Sequence, residues 1–440
     1  MLFTRPSASV RALRLPAAID PLHRVHVPCD LRPLLTHGAG EVDAASVGMS
    51  ADGVERIWRS AVRLYRHGVY PALAVCIRRN GRVVLDRSIG WSRGGGPGDA
   101  QDAARVLATP RTPFCIFSAS KAITATVVHL LAEQGRLDLD DRVAAYLPEF
   151  ARPQFDEITI DHVLSHRAGV PFIPRDLMDL DRLGDREFLL DALSGMRLRN
   201  RPGSSLSYHA VSGGFILGEV VQAVTGKYIR TVLDEQILAP LAFRWTNYGA
   251  APVEHELIAH DYATGPRPLP PLSTAMVRAL GLPVPKLALI SRDPRFLNAL
   301  VPAANVVSTA NELSRFMDLL RAGGTLDGVP ILTARTIRRA LVERSYHEFD
   351  RTLGVPLRHA SGFMLGARTL GLYGPDTDEA FGHLGFTNVM AWADPRRELA
   401  VAIMTNGKPV LGPHLPALWA LTRRIGLEAP KVADPELFGS

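Results

Sequence analysis

Apolar positions recur along this chain in two rhythms. From Ala51 to Gly68, Val54, Ile57, Trp58, Ala61 and Tyr65 fall at helical spacing and predict one amphipathic helix. The rhythm then shortens. Ala72–Ile77 and Arg82–Arg87 are β-rich runs joined around Asn80-Gly81, a hairpin turn signal. Ile123, Val127, Val128, Leu130 and Leu131 predict a buried helix running from Ser118 to Gly135. Between about 136 and 300, helical patterns such as Arg186–Leu193 and Gly213–Thr225 alternate with Pro-bearing loops. Helices are expected again at Asn311–Ala322 and Ala334–Val342, after which strands take over. Val389–Asp394 and Leu399–Met404 form a second hairpin around Pro395-Arg396-Arg397, and Leu415–Arg424 a last helix. Strands at both ends with helices between them predict an α+β fold, in which the two ends of the chain build one sheet around a helical insertion. The sheet region covers about 51–117 and 301–428, and the helical region about 118–300. Residues 1–50 lack a period and are expected to be an extension, partly disordered or draped over the domain, with 429–440 a tail.

Composition narrows the class. With 440 residues, 47% hydrophobic and 21% charged, the chain can fill a sizeable core and has no disordered signature. The net charge is +6, but arginines are interspersed with acids, so no nucleic-acid stripe is expected; Arg197, Arg199 and Arg201 read as a solvated loop. Cys29, Cys76 and Cys115 give neither a disulfide framework nor metal spacing. Met1 to Pro16 is basic but lacks an uninterrupted apolar stretch, and no apolar run of about 18 residues is read elsewhere, so a cytoplasmic protein without a membrane span is expected. The oligomeric state is left open.

Ser118-Ala119-Ser120-Lys121 is an S-x-x-K motif. Three-residue spacing at a helix start places both side chains on one face. There the free N–H groups and positive dipole end favour a developing oxyanion, and the amine can take the hydroxyl proton if burial or a nearby cation lowers its pKa. A capping serine beside a surface lysine is the alternative reading of these four residues. Tyr208-His209-Ala210 follows a turn-rich approach, and His383-Leu384-Gly385 stands just ahead of the second hairpin; alone, each reads as packing as readily as chemistry. His162 and His166 form H-x-x-x-H, yet no Glu follows the first histidine, so no metal site is expected. Phe172 to Leu183, with Ile173, Leu177, Met178 and Leu180, is a candidate acyl-pocket wall or equally a core segment.

The order Ser118-x-x-Lys121, Tyr208, His383-x-Gly385 resembles the three-motif arrangement of serine β-lactamases, penicillin-binding DD-peptidases and family VIII carboxylesterases. Asp161–Gly169, Pro202-Gly203, Val306–Phe316, Gly323–Gly328 and Ala391–Asp394 extend the resemblance over about Tyr70 to Arg424. It implies a mostly antiparallel sheet flanked by helices beside an all-helical region, with the site between. It implies also that Ser118 forms an acyl-enzyme, that Lys121 and Tyr208 together accept and return the proton, and that the backbone N–H groups of Ser118 and Phe386 form the oxyanion hole, with no cofactor. Two departures matter. Ala210 replaces the usual Asn, which helps hold a substrate amide, and His383 stands where a Lys often attracts a substrate carboxylate. Both favour a carboxylesterase for small or neutral esters. A β-lactamase or D-amino-acid peptidase, an acyltransferase and a non-catalytic binding protein are the alternatives.

Overall fold

The computed structural model describes residues 20, 22–100, 102–174, 177 and 179–433. One antiparallel sheet dominates it. Its strands are β1 (Leu35–His37), β2 (Ala72–Arg79), β3 (Arg82–Arg93), β4 (Ser345–Asp350), β5 (Val355–His359), β6 (Met364–Leu365), β7 (Phe381–Gly385), β8 (Val389–Asp394) and β9 (Leu399–Thr405). The order across the sheet is β1-β3-β2-β9-β8-β7-β6-β5-β4, and the short strand Val106–Leu107 pairs with β3 off this path. β9 lies against β2 with Leu399 opposite Arg79 and Thr405 opposite Leu73, so the two ends of the chain meet at the middle of the sheet.

Period-two alternation divides the central strands between two cores. Ala72, Ala74, Cys76, Ala391, Ala393, Ala400 and Ala402 face one side. There small residues let α2 (Ser120–Glu133) and α6 (Ala310–Arg321) approach the strands. Leu73, Val75, Ile77, Trp392, Val401 and Ile403 face the other, under α1 (Ala51–Tyr65) and α7 (His414–Glu428). Burial on both faces is why these strands read as nearly continuous apolar runs.

Both hairpins and the flanking helices lie within a few residues of the sequence expectation. The strands Ser345–Asp350 and Val355–His359 have no individual bounds in the sequence pattern, because polar residues interrupt their apolar period. The segment before α1 shares the second core: Val25, Val27, Leu31 and Leu34 are buried and β1 pairs with β3. Residues 1–19 lie outside the described residues, as do 434–440. The helical region includes α3 (Ser212–Thr225), α4 (Leu272–Leu280) and α5 (Val284–Ile290). Taken together, Leu272–Ile290 has the length and apolar composition of a membrane span, although no such run was read from the sequence. Arg278 and Lys286 interrupt it, and the chain breaks helix between Gly281 and Pro283.

Candidate active site

A second, three-stranded sheet hangs the S-x-x-K motif in place. Phe114–Cys115 pairs with Val306–Ser308, which pairs in turn with Asn247–Tyr248. The Ile116 N–H donates to the Val306 carbonyl at 2.9 Å, and the Val306 N–H donates to Ser120 Oγ at 3.1 Å. Phe117 then takes a left-handed conformation, φ +46°, which costs a non-glycine residue about 1 kcal/mol or more. It starts the 3-10 turn Phe117–Ala119, which feeds directly into α2. Ser118 therefore sits at the amino end of a helix buried on all sides from Ser120 to Leu131, and is itself partly exposed.

Lys121 reaches back one turn. Its Nζ lies 3.1 Å from Ser118 Oγ, 2.7 Å from the Ala210 carbonyl and 3.2 Å from the Ala303 carbonyl. Burial without a carboxylate partner pushes its pKa down to about 7. Burial drives the Tyr208 phenol well above its usual value, and the nearby Ser118 side chain opposes that shift. Lys121 Nζ is 4.9 Å from the Tyr208 ring centre. Ser118, Lys121 and Tyr208 thus converge on one point.

β7 supplies the opposite wall. A Cβ on Gly385 would lie 2.2 Å from the Ile116 carbonyl oxygen, so only glycine lets β7 come this close to the Ser118 turn. The approach brings the Phe386 ring to 5.6 Å from that of Phe117. Among the described residues, neither the Ser118 nor the Phe386 N–H donates to a protein acceptor. The His383 ring lies 6.2 Å from that of Tyr208. Its Nδ1 faces the Leu384 carbonyl at 2.7 Å, which assigns the proton there and leaves buried Nε2 as an acceptor without a protein donor. Burial holds His383 neutral at pH 7.

Sequence reasoning missed the groups that fix Tyr208. Both carboxylate oxygens of buried Asp350 accept from the Tyr208 N–H, at 3.1 and 3.0 Å, and one also accepts from the Thr352 and Leu353 N–H groups. The His166 ring lies 4.6 Å from that of Tyr208, and its Nδ1 accepts from the His209 N–H at 3.2 Å. His162 instead closes a capping box with Thr159. The separation of 142 positions between Tyr208 and Asp350 leaves no local signal to find that pair. Of the candidate acyl wall, Phe172 and Ile173 line a cleft of about 560 Å³, Leu177 is in the core, Leu180 packs partly buried against it, and Met178 lies outside the described residues.

The family model described as Beta-lactamase matches residues 58–423, which spans every one of these groups. The chain belongs to the β-lactamase family. This family member is 29% identical over 351 residues to Esterase/beta-lactamase LipL of Mycobacterium tuberculosis (strain ATCC 25618 / H37Rv), covering 76% of each chain. Among solved structures it is similar to a family VIII carboxylesterase, with a TM-score of 0.71, 27% identity and coverage of 86% of this chain and 98% of that one. A penicillin-binding protein homologue from Caulobacter crescentus aligns with a TM-score of 0.72 at 27% identity, covering 87% and 99%. These place the β-lactamase-family chain in the serine hydrolase superfamily, with esterase relatives.

Proposed function

We propose that the protein is a carboxylesterase working through an acyl-enzyme on Ser118. The observation that carries this reading is the environment of Lys121. A neutral amine has two N–H bonds and one lone pair, and two carbonyl oxygens, of Ala210 and Ala303, take the two N–H bonds. The lone pair is left for the Ser118 hydroxyl proton. As Ser118 Oγ adds to the ester carbonyl, its proton passes to Lys121, directly or through the Tyr208 hydroxyl. The oxyanion forms beside the free N–H groups of Ser118 and Phe386, an arrangement worth several kcal/mol of barrier when preorganised. Collapse breaks the acyl–oxygen bond and returns the proton to the departing alcohol. Water then adds to the acyl-enzyme by the same route, releasing the acid and restoring Ser118.

Ala210 offers no amide to a β-lactam or peptide side chain, and His383 offers no cation beside the reacting carbonyl. Both support an ester with no carboxylate next to the scissile bond. Esterase appears in the names of two similar proteins, a family VIII carboxylesterase and Esterase/beta-lactamase LipL, the second of which also names the β-lactamase alternative. The test is hydrolysis of p-nitrophenyl esters from acetate to octanoate by wild type and Ser118→Ala, with nitrocefin in parallel. Ester turnover abolished in the variant, with little nitrocefin cleavage, is the expected result. Nitrocefin hydrolysis rivalling the esters would replace the reading by a β-lactamase, and no turnover by folded protein would overturn it.

A further inference from the structure

The cleft lined by Phe172 and Ile173 carries charge that the acyl-transfer steps leave unused. Arg199 and Ser273, Val277 and Arg278 of α4 complete its walls. The segments that build it also hold Tyr208. The Arg199 N–H donates to the Gly169 carbonyl at 2.8 Å, and the next residue in that loop, Val170, donates its N–H to His209 Nε2 at 3.3 Å. Leu280, at the end of α4, packs against the cluster of Tyr208, Ala210 and Met364. The cleft therefore shares supporting segments with Tyr208.

Two guanidinium groups face one ring there. Cζ of Arg199 is 5.5 Å and Cζ of Arg278 is 4.8 Å from the centre of Phe172. Among the described residues, neither side chain has an ion-pair or hydrogen-bond partner. Arg186, Arg201 and Arg295 of the same region are neutralised, by Glu219 at 2.7 Å, Glu157 at 3.2 Å and Asp293 at 2.7 Å, whereas Arg197 and Arg267, like Arg199 and Arg278, have no ion-pair partner among the described residues. Two like charges sharing a wall repel each other, and an anion between them removes the repulsion while meeting two planar forks of donors. Both arginines are exposed, so such an anion is oriented and selected rather than tightly bound.

We propose that the natural ester carries a carboxylate at the far end of its acyl chain, held by Arg199 and Arg278, with the connecting methylenes against Phe172, Ile173 and Val277. The substrate class is then a monoester of a short dicarboxylic acid. This rests on the esterase reading and refines it: the ester is neutral at the reacting end and anionic at the remote one.

The experiment compares kcat/KM for p-nitrophenyl valerate with the p-nitrophenyl monoesters of glutaric and adipic acid, in wild type, Arg199→Gln, Arg278→Gln and the double variant, at 50 and 500 mM NaCl. Wild type should favour a carboxylate ester about tenfold at low salt, chiefly through KM, and the preference should shrink at high salt as screening sets in. The double variant should lose most of it while valerate turnover stays within about twofold. Equal or better turnover of valerate by wild type, or a preference that survives in the double variant, would overturn the proposal. If no ester is turned over, the esterase reading fails instead, and calorimetric titration of glutarate then decides the cleft: binding lost in the double variant supports it, and no binding to wild type sinks it.

Discussion

At Lys121, burial and hydrogen bonding act on the same nitrogen. Burial disfavours the ammonium and brings the pKa to about 7, while the bonds to Ala210, Ala303 and Ser118 hold Nζ in place for either protonation state. A depressed lysine pKa means that the base form accumulates as pH rises, so kcat/KM for a neutral ester should climb through about pH 7 and level off above 8. The same shift opposes folding fully below pH 7, where the buried amine must be charged, and is relieved as pH rises towards the unfolded value near 10.4. Lys121→Arg, charged at every accessible pH, should lower kcat by about 10³-fold and flatten the profile, as a pH series on purified protein will show. The Ser118–Lys121 pair was legible because one helical turn joins its members. Tyr208 and His383 were legible only through their order along the chain, and Asp350 not at all, since its contact with Tyr208 is made by the fold alone.

Among the elements, β7 determines whether the site is complete. Its two-residue approach to the Ser118 turn depends on the missing side chain of Gly385, and the Cβ of Gly385→Ala would meet backbone, which cannot swing aside. β7 must then retreat, carrying the Phe386 N–H with it. Displacements of about 1 Å at a reacting centre reduce rates about a hundredfold. Gly385→Ala should therefore lose about 10² in kcat while far-ultraviolet circular dichroism stays that of wild type. β2, β3, β8 and β9 could be read from sequence because both their faces are buried and Asn80-Gly81 turns the first hairpin. β4 and β5 could not, because polar residues such as His347, Glu348 and Arg358 interrupt their apolar period.

Across the whole molecule, a fully buried ion pair fastens the helical region to the sheet. Lys408, three residues beyond β9, lies 3.0 Å from Asp261 of the insertion, which also accepts from the Ser291 hydroxyl at 2.5 Å. Lys408 Nζ stands 4.9 Å from the Phe117 ring, so the pair backs the strained residue that precedes Ser118. Asp261→Asn would leave an ammonium buried without a counter-charge and should reduce stability by about 3–5 kcal/mol, read as a lowered urea midpoint; joint replacement by Leu and Met should recover much of it. Neither partner stood out in the sequence, where a separation of 147 positions hides the contact.

The position of β9 between β2 and β8 has a consequence for biosynthesis. Ser118, Lys121 and Tyr208 leave the ribosome long before the strands that must be slotted beside β2 and against the Ser118 turn. A nascent or prematurely terminated chain holds all three reactive groups yet lacks the wall that carries Phe386, and long-range strand pairing of this kind is slow to form. Reactivity towards esters would then switch on only after translation of the last strand, which would spare the cell a half-made nucleophile and make activity a faithful count of finished molecules.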